Sequence, residues 1–287
     1  MNARQMRSIT FAVVAACASG CGDSHQTPPG PAPTPPSQPA GQSAAGKAPT
    51  PPTPTQLLMR EHHEKAAEAR RALIADDMQG ARAAMAWLAT NDPSRGPVPA
   101  NLLPHLAGMR EKAASFAAAT TFSEAGSAYA ETLLQCGECH GAAEHALPRF
   151  PDVAPPQGTA LRDRMHKHAW AADRMWEGLV LRDQERYDGA ARSLADVVVR
   201  VDELPPNAAD PARVQAVADN VRTLAATGLA ATDWSGRAEA YGRFLATCAT
   251  CHRLMGVGDV VSRVLHGLPA QANAPMPTPA PAPSGAP

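Results

Sequence analysis

The sequence predicts an all-α protein of two tandem antiparallel four-helix bundles, and three observations carry that expectation. Residues 56–145 and 161–257 can be laid over one another, so the chain holds an internal repeat. Within each repeat, four stretches carry Ala and Leu at helical spacing, cut by Asp, Gly, Asn and Pro where helices end. The apolar share is 44% while aromatics reach only 4%, which suits close helix packing but fills little volume. Such a core is expected to close around a bulky body that is not an amino acid. Four helices with short links favour a bundle in each repeat. A helical solenoid is the rival, for which two units of four helices are few.

In the first repeat the helices are expected at 56–77, 80–90, about 102–119, and from Ser123, as N-cap, into Cys136. The second repeats them at 160–183, 188–200, 211–227 and 233–252. A displacement of 106 positions matches Met59 with Met165, His62 with His168, Leu73 with Leu179 and Asp77 with Asp183. Further on, a displacement of 112 matches Arg110 with Arg222, Tyr129 with Tyr241, and Cys136, Cys139 and His140 with Cys248, Cys251 and His252. The six-residue difference belongs in a loop between helices, where length changes are tolerated.

The ends have another character. Arg4 and Arg7 precede an apolar run, Ile9 to Ala18, so residues 1–20 read as an export signal, too short to span a bilayer. Ala18-Ser19-Gly20-Cys21 resembles the lipobox of bacterial lipoproteins, which implies lipid attachment at Cys21, with Cys17 the alternative. Residues 21–55 then form a Pro-rich tether, and 268–287 a Pro- and Ala-rich tail. Domain bounds follow at 56–145 and 161–267 for the two helical units, with 146–160 as linker. The chain holds 26 basic and 27 acidic residues. No basic excess exists for binding nucleic acid.

The chemistry lies in Cys136-Gly137-Glu138-Cys139-His140 and Cys248-Ala249-Thr250-Cys251-His252. Both are C-x-x-C-H, the signature of c-type haem attachment. Thiols three residues apart share a helix face, so each can add across one vinyl group. The adjoining histidine, His140 or His252, is placed to ligate the iron from the proximal side. A four-Cys zinc site would need both pairs brought together. A disulfide within C-x-x-C would be strained and leave the histidine unexplained. A thioredoxin-like pair lacks its strand–helix context. Two covalent haem c groups are therefore expected.

Each motif closes its repeat, and this resembles the class II cytochromes, the cytochrome c′ family, in which haem is attached on the last helix of a four-helix bundle. Two fused units depart from that family's single bundle. The resemblance implies a distal face covered by the first helix. There stand Met59 and His62 in the first repeat and Met165 and His168 in the second. Three residues apart, Met and His share a face, so only one of each pair can take the iron at a time, and an open or weakly covered site is the third alternative. Imidazole is the expected choice, His62 and His168, with Met59 and Met165 as alternatives. His63 and His166 are expected as surface residues, as are His105, His145 and His266. Arg110 and Arg222 are candidates for haem propionates or a solvated face, and Tyr129 and Tyr241 for the porphyrin edge.

The function expected is one-electron transfer by a dihaem cytochrome c, lipid-anchored at the periplasmic face of a bacterial membrane, between periplasmic or membrane redox proteins. The alternatives are a module binding nitric oxide or carbon monoxide at an open iron, and, further off, a dihaem peroxidase. No catalytic residue is expected.

Overall fold

The computed structural model describes residues 51–91, 98–143, 150–204, 208 and 210–266. The export signal, Cys17, Cys21, nearly all of the tether, His145 and the tail lie outside them. Among the described residues the chain is all-helical, with no strand. None of those helices is long and apolar enough to cross a membrane.

The first repeat gives α1 (Pro54–Ile74), α2 (Met78–Thr90), α3 (Leu103–Phe116) and α4 (Phe122–Ala142). The second gives α5 (Leu161–Leu181), α6 (Gln184–Ala195), α7 (Pro211–Ala230) and α8 (Trp234–Met255). A further helix, α9 (Gly258–Leu265), was not anticipated. Local chemistry explains the boundaries. Thr53 caps α1 in a capping box with Gln56, with Pro54 at the first helical position. The cap of α4 is Thr121 with Glu124, not Ser123: Thr121 accepts from the Glu124 amide at 3.2 Å, and the Glu124 carboxylate takes the Thr121 amide in return. Asp77 and Asp183 cap α2 and α6 at matched positions.

The ends of α1 and α5 are copies of one another. Asp77 N–H donates to Ala72 O at 2.8 Å, and Asp183 N–H to Gly178 O at 2.9 Å. Within these turns Asp76 (φ 65°) and Arg182 (φ 53°) hold the left-handed conformation. That conformation costs a non-glycine residue about 1–2 kcal/mol. Arg110 and Arg222 also act alike. Each Nε donates at 3.1 Å to a carbonyl at the end of the second helix of its repeat, Ala89 O or Ala195 O. The repeat register thus extends to Ala89 and Ala195, and the length difference falls in the following loops.

The repeats do not form two separately closed bundles. Helices meet in sequence order within each repeat, but α1 and α4 scarcely touch. Instead α4 packs most extensively on α8, and α1 leans on α8 as α4 does on α5. One hydrophobic core runs through both repeats, from Leu73, Met85 and Phe116 to Met175, Leu194 and Phe244. The seam between α4 and α8 explains this. A Cβ at Gly126 would collide with Gly242 O, and one at Gly242 with Gly126 O. The position matching Gly126 is Ala238, and that matching Gly242 is Ala130. Four small residues, related by the repeat, therefore let two backbones touch. A bundle closed on itself would waste that stripe on solvent.

Candidate functional site

Both C-x-x-C-H motifs lie in the last turns of the two seam helices, α4 and α8. Cys139 and Cys248 are buried, Cys136 and Cys251 half-buried, and all four are free thiols. Burial pushes every one of these thiols up, Cys136 to about 12 and Cys251 to about 11. They stay protonated and unpaired at neutral pH. Among the described residues no cluster of three or more His, Cys, Asp or Glu side chains could hold a metal ion.

The motif histidines are oriented in one way. His140 Nδ1–H donates to Val180 O at 3.1 Å, and His252 Nδ1–H donates to Ile74 O at 2.6 Å. Ile74 and Val180 are matched residues in the last turns of α1 and α5. Carbonyls there have no amide further along their own helix, so they are free to accept. With Nδ1 bound, the neutral ring presents Nε2 with its lone pair, the arrangement found behind metal-ligating imidazoles. Burial lowers the pKa of both rings and keeps them neutral.

Each acceptor comes from the other repeat: α5 serves His140 and α1 serves His252. The same two turns make a second contact each. Arg182 pairs with Glu138, inside the first motif, and Asp76 lies 3.5 Å from Arg253, directly after the second. Glycine at 137 is needed for the approach, since a Cβ there would stand 2.7 Å from Leu179 O.

On the first helices, Met59, Met165 and His168 are half-buried and His62 is buried. Burial holds both His62 and His168 neutral, with pKa values down to about 4. Burial lowers His168 most, and the charge on His252 lowers it further. His168 Nε2 is shut off from solvent and has no hydrogen-bond partner. An orphaned buried imidazole nitrogen fits a ligand for haem iron. The first repeat differs. Asn91 donates to His62 Nε2 at 3.2 Å, and Trp87 meets the ring edge-on at 5.8 Å.

Other expectations resolve plainly. His166 and His266 are exposed, while His105 is half-buried. His63 is exposed but packs against Phe150 and Trp176, with ring centroids 5.7 and 4.9 Å away. Tyr129 and Tyr241 are fully buried and donate to Ala66 O at 2.8 Å and Ala172 O at 3.1 Å. These bonds link α4 to α1 and α8 to α5. Arg110 and Arg222 use Nε to close the ends of α2 and α6, and Arg222 is exposed. A cleft of about 380 Å³ between α7, α8 and the start of α4 is lined by Arg213, Asn220, Arg243 and Thr247, and by none of the motif cysteines or histidines. Comparison of the chain with protein-family profiles, curated proteins and solved structures finds no match, so the reading of this site rests on its own chemistry.

Proposed function

We propose that the chain is a dihaem c-type cytochrome that passes single electrons between redox proteins, tethered through Cys21 at the periplasmic face of a bacterial membrane. One observation supports it above the rest: both motif histidines have Nδ1 committed to a backbone carbonyl, at matched positions, leaving Nε2 to ligate. Cys136 and Cys139, and Cys248 and Cys251, would hold the two haems covalently. His140 and His252 would be the proximal ligands, with His62 and His168, or Met59 and Met165, on the distal side. Bound there, haem iron would supply a centre that cycles between two oxidation states. The protein's own part is to fix the imidazoles, keep them neutral and exclude water.

Mass spectrometry of protein made with a haem-attachment system tests this: two haem additions are expected, and none would sink the reading. Replacing Cys21 by Ser should release the exported protein from the membrane fraction. A second reading has one observation in its favour. Asn91 occupies His62 Nε2, so the first iron would be left open or weakly covered, fit for nitric oxide or carbon monoxide. A ferrous carbon monoxide spectrum with one gas bound per chain supports that reading, and none bound supports electron transfer alone.

A further inference from the structure

The two turns that end α1 and α5 share backbone geometry, yet they bring different chemistry to the histidine they serve. Ile74 O receives His252 Nδ1–H at 2.6 Å, whereas Val180 O receives His140 Nδ1–H at 3.1 Å. A shorter bond to the carbonyl makes the ring a stronger electron donor through Nε2. Each turn then places a left-handed residue beside the motif, Asp76 at the second and Arg182 at the first. These occupy one position of the repeat and carry opposite charges. The surrounding charges matter too. Arg182 is paired with Glu138, and both are partly exposed, so their fields largely cancel in water. Asp76 is the more buried partner of its pair, 21% exposed against 53% for Arg253. Its Oδ1 is closed to solvent and accepts no hydrogen bond.

We propose that these clasps set the two haems at different potentials, the second low and the first high, with Asp76 and the Ile74 carbonyl, both lent by the first repeat, as the positioning groups that lower the second. The ordering rests on the dihaem reading above. Reduction at either site takes one electron from a redox partner and lowers the charge at the iron by one. A carboxylate with one oxygen closed to solvent, in the turn whose carbonyl holds the His252 ring, opposes that added electron, as does a ring made electron-rich by a short hydrogen bond. The first site has the longer bond and an ion pair that largely cancels. Electrons would enter by the second haem and rest on the first. Each half would depend on the other, since the group that sets each ligand belongs to the opposite repeat.

A visible redox titration of the full holoprotein tests this. Two one-electron waves are expected, and Asp76→Asn should raise only the lower one. Asparagine tolerates the left-handed backbone at 76, so the turn survives. Loss of one partly buried charge should change that haem's reduction equilibrium roughly three- to tenfold. A purely structural role for Asp76 would move both waves or broaden them. The wave is assigned with Cys248→Ala/Cys251→Ala, which should retain one haem mass and the upper wave, and with Cys136→Ala/Cys139→Ala, which should retain the lower. One double variant that folds is enough. Two haem masses with coincident waves, a shift of the upper wave in Asp76→Asn, or the reverse assignment would overturn the ordering and leave the dihaem reading standing. Absence of haem mass from the parent protein would overturn both.

Discussion

In the first repeat the buried His62 ring is already employed: its Nε2 accepts from Asn91, and Trp87 covers its edge. In the second repeat the matching His168 has Nε2 buried with nothing to bond, because Val197 stands where Asn91 does and Ser193 where Trp87 does. The frames around these rings agree down to the turn hydrogen bonds, the aspartate caps, the arginines on Ala89 and Ala195, and the buried tyrosines. Duplication therefore preserved the scaffold while the neighbours of His62 and His168 diverged. An orphaned buried nitrogen costs about 1–3 kcal/mol, which folding alone gives no reason to keep. The second site thus bears the clearer mark of a ligand-binding role.

The largest effect should come from breaking what the repeats share. Gly242→Leu drives a branched side chain into Gly126 O on the facing helix, a contact that backbone cannot relieve by rotamer change. Overpacking of this kind costs about 1–3 kcal/mol in adaptable cores, and more is expected here. Thermal unfolding should show both repeats lost in one transition. If one repeat still melts with native cooperativity, the halves fold independently and the shared seam is not what holds them.

Next in size is the pH response of protein prepared without haem. His62 and His168 titrate near 4 when folded, against about 6.5 when unfolded. The unfolded chain therefore binds more protons between these values, so stability is full above about pH 6.5 and falls as the pH drops toward 4. Each ring contributes up to about 3 kcal/mol. Urea titrations at pH 7 and pH 5 should show the loss, and His168→Leu should flatten it. A pH-independent midpoint would mean that the rings are solvated.

The third outcome separates the repeats by sign. Without haem, His168→Leu removes an unpaired nitrogen and should stabilise by about 1–3 kcal/mol, whereas His62→Leu strands the Asn91 amide and should not. Equal effects in denaturant midpoint would erase the distinction between the sites.

Much of this was legible in the chain because it was local or periodic. Helical spacing, the breaks at Asp, Gly, Asn and Pro, and the two C-x-x-C-H motifs depend on residues close in sequence. The exchange of partners between repeats was not legible, since it depends on which helix faces which. Its trace was Gly126, Ala130, Ala238 and Gly242, small residues four apart on both seam helices, which an Ala-rich composition conceals. The carbonyls of Ile74 and Val180 were invisible for a different reason: backbone acceptors leave no residue signature. The spacing of Tyr129 and Tyr241 to the cysteines gave a shared face but could not show that their hydroxyls bond to the first helix of each repeat.

The smallest change should sharpen the comparison most. Asn91→Val gives the first repeat the residue that the second carries at 197, and frees His62 Nε2 from its donor. In stability the cost is one hydrogen bond, about 1 kcal/mol, partly offset by the apolar side chain. In protein loaded with two haems the consequence would be spectroscopic. If Asn91 holds His62 away from the iron, the parent should bind one carbon monoxide per chain and show one high-spin haem. The variant should then lose both features as His62 becomes available, and its first haem should fall in potential toward the second. The reciprocal Val197→Asn offers His168 a competing donor and should open the second site instead. Carbon monoxide stoichiometry unchanged in both variants would show that Asn91 does not decide distal ligation. Met59 would then be the next residue to replace, because a sulfur ligand would hold the first haem high without help from Asn91.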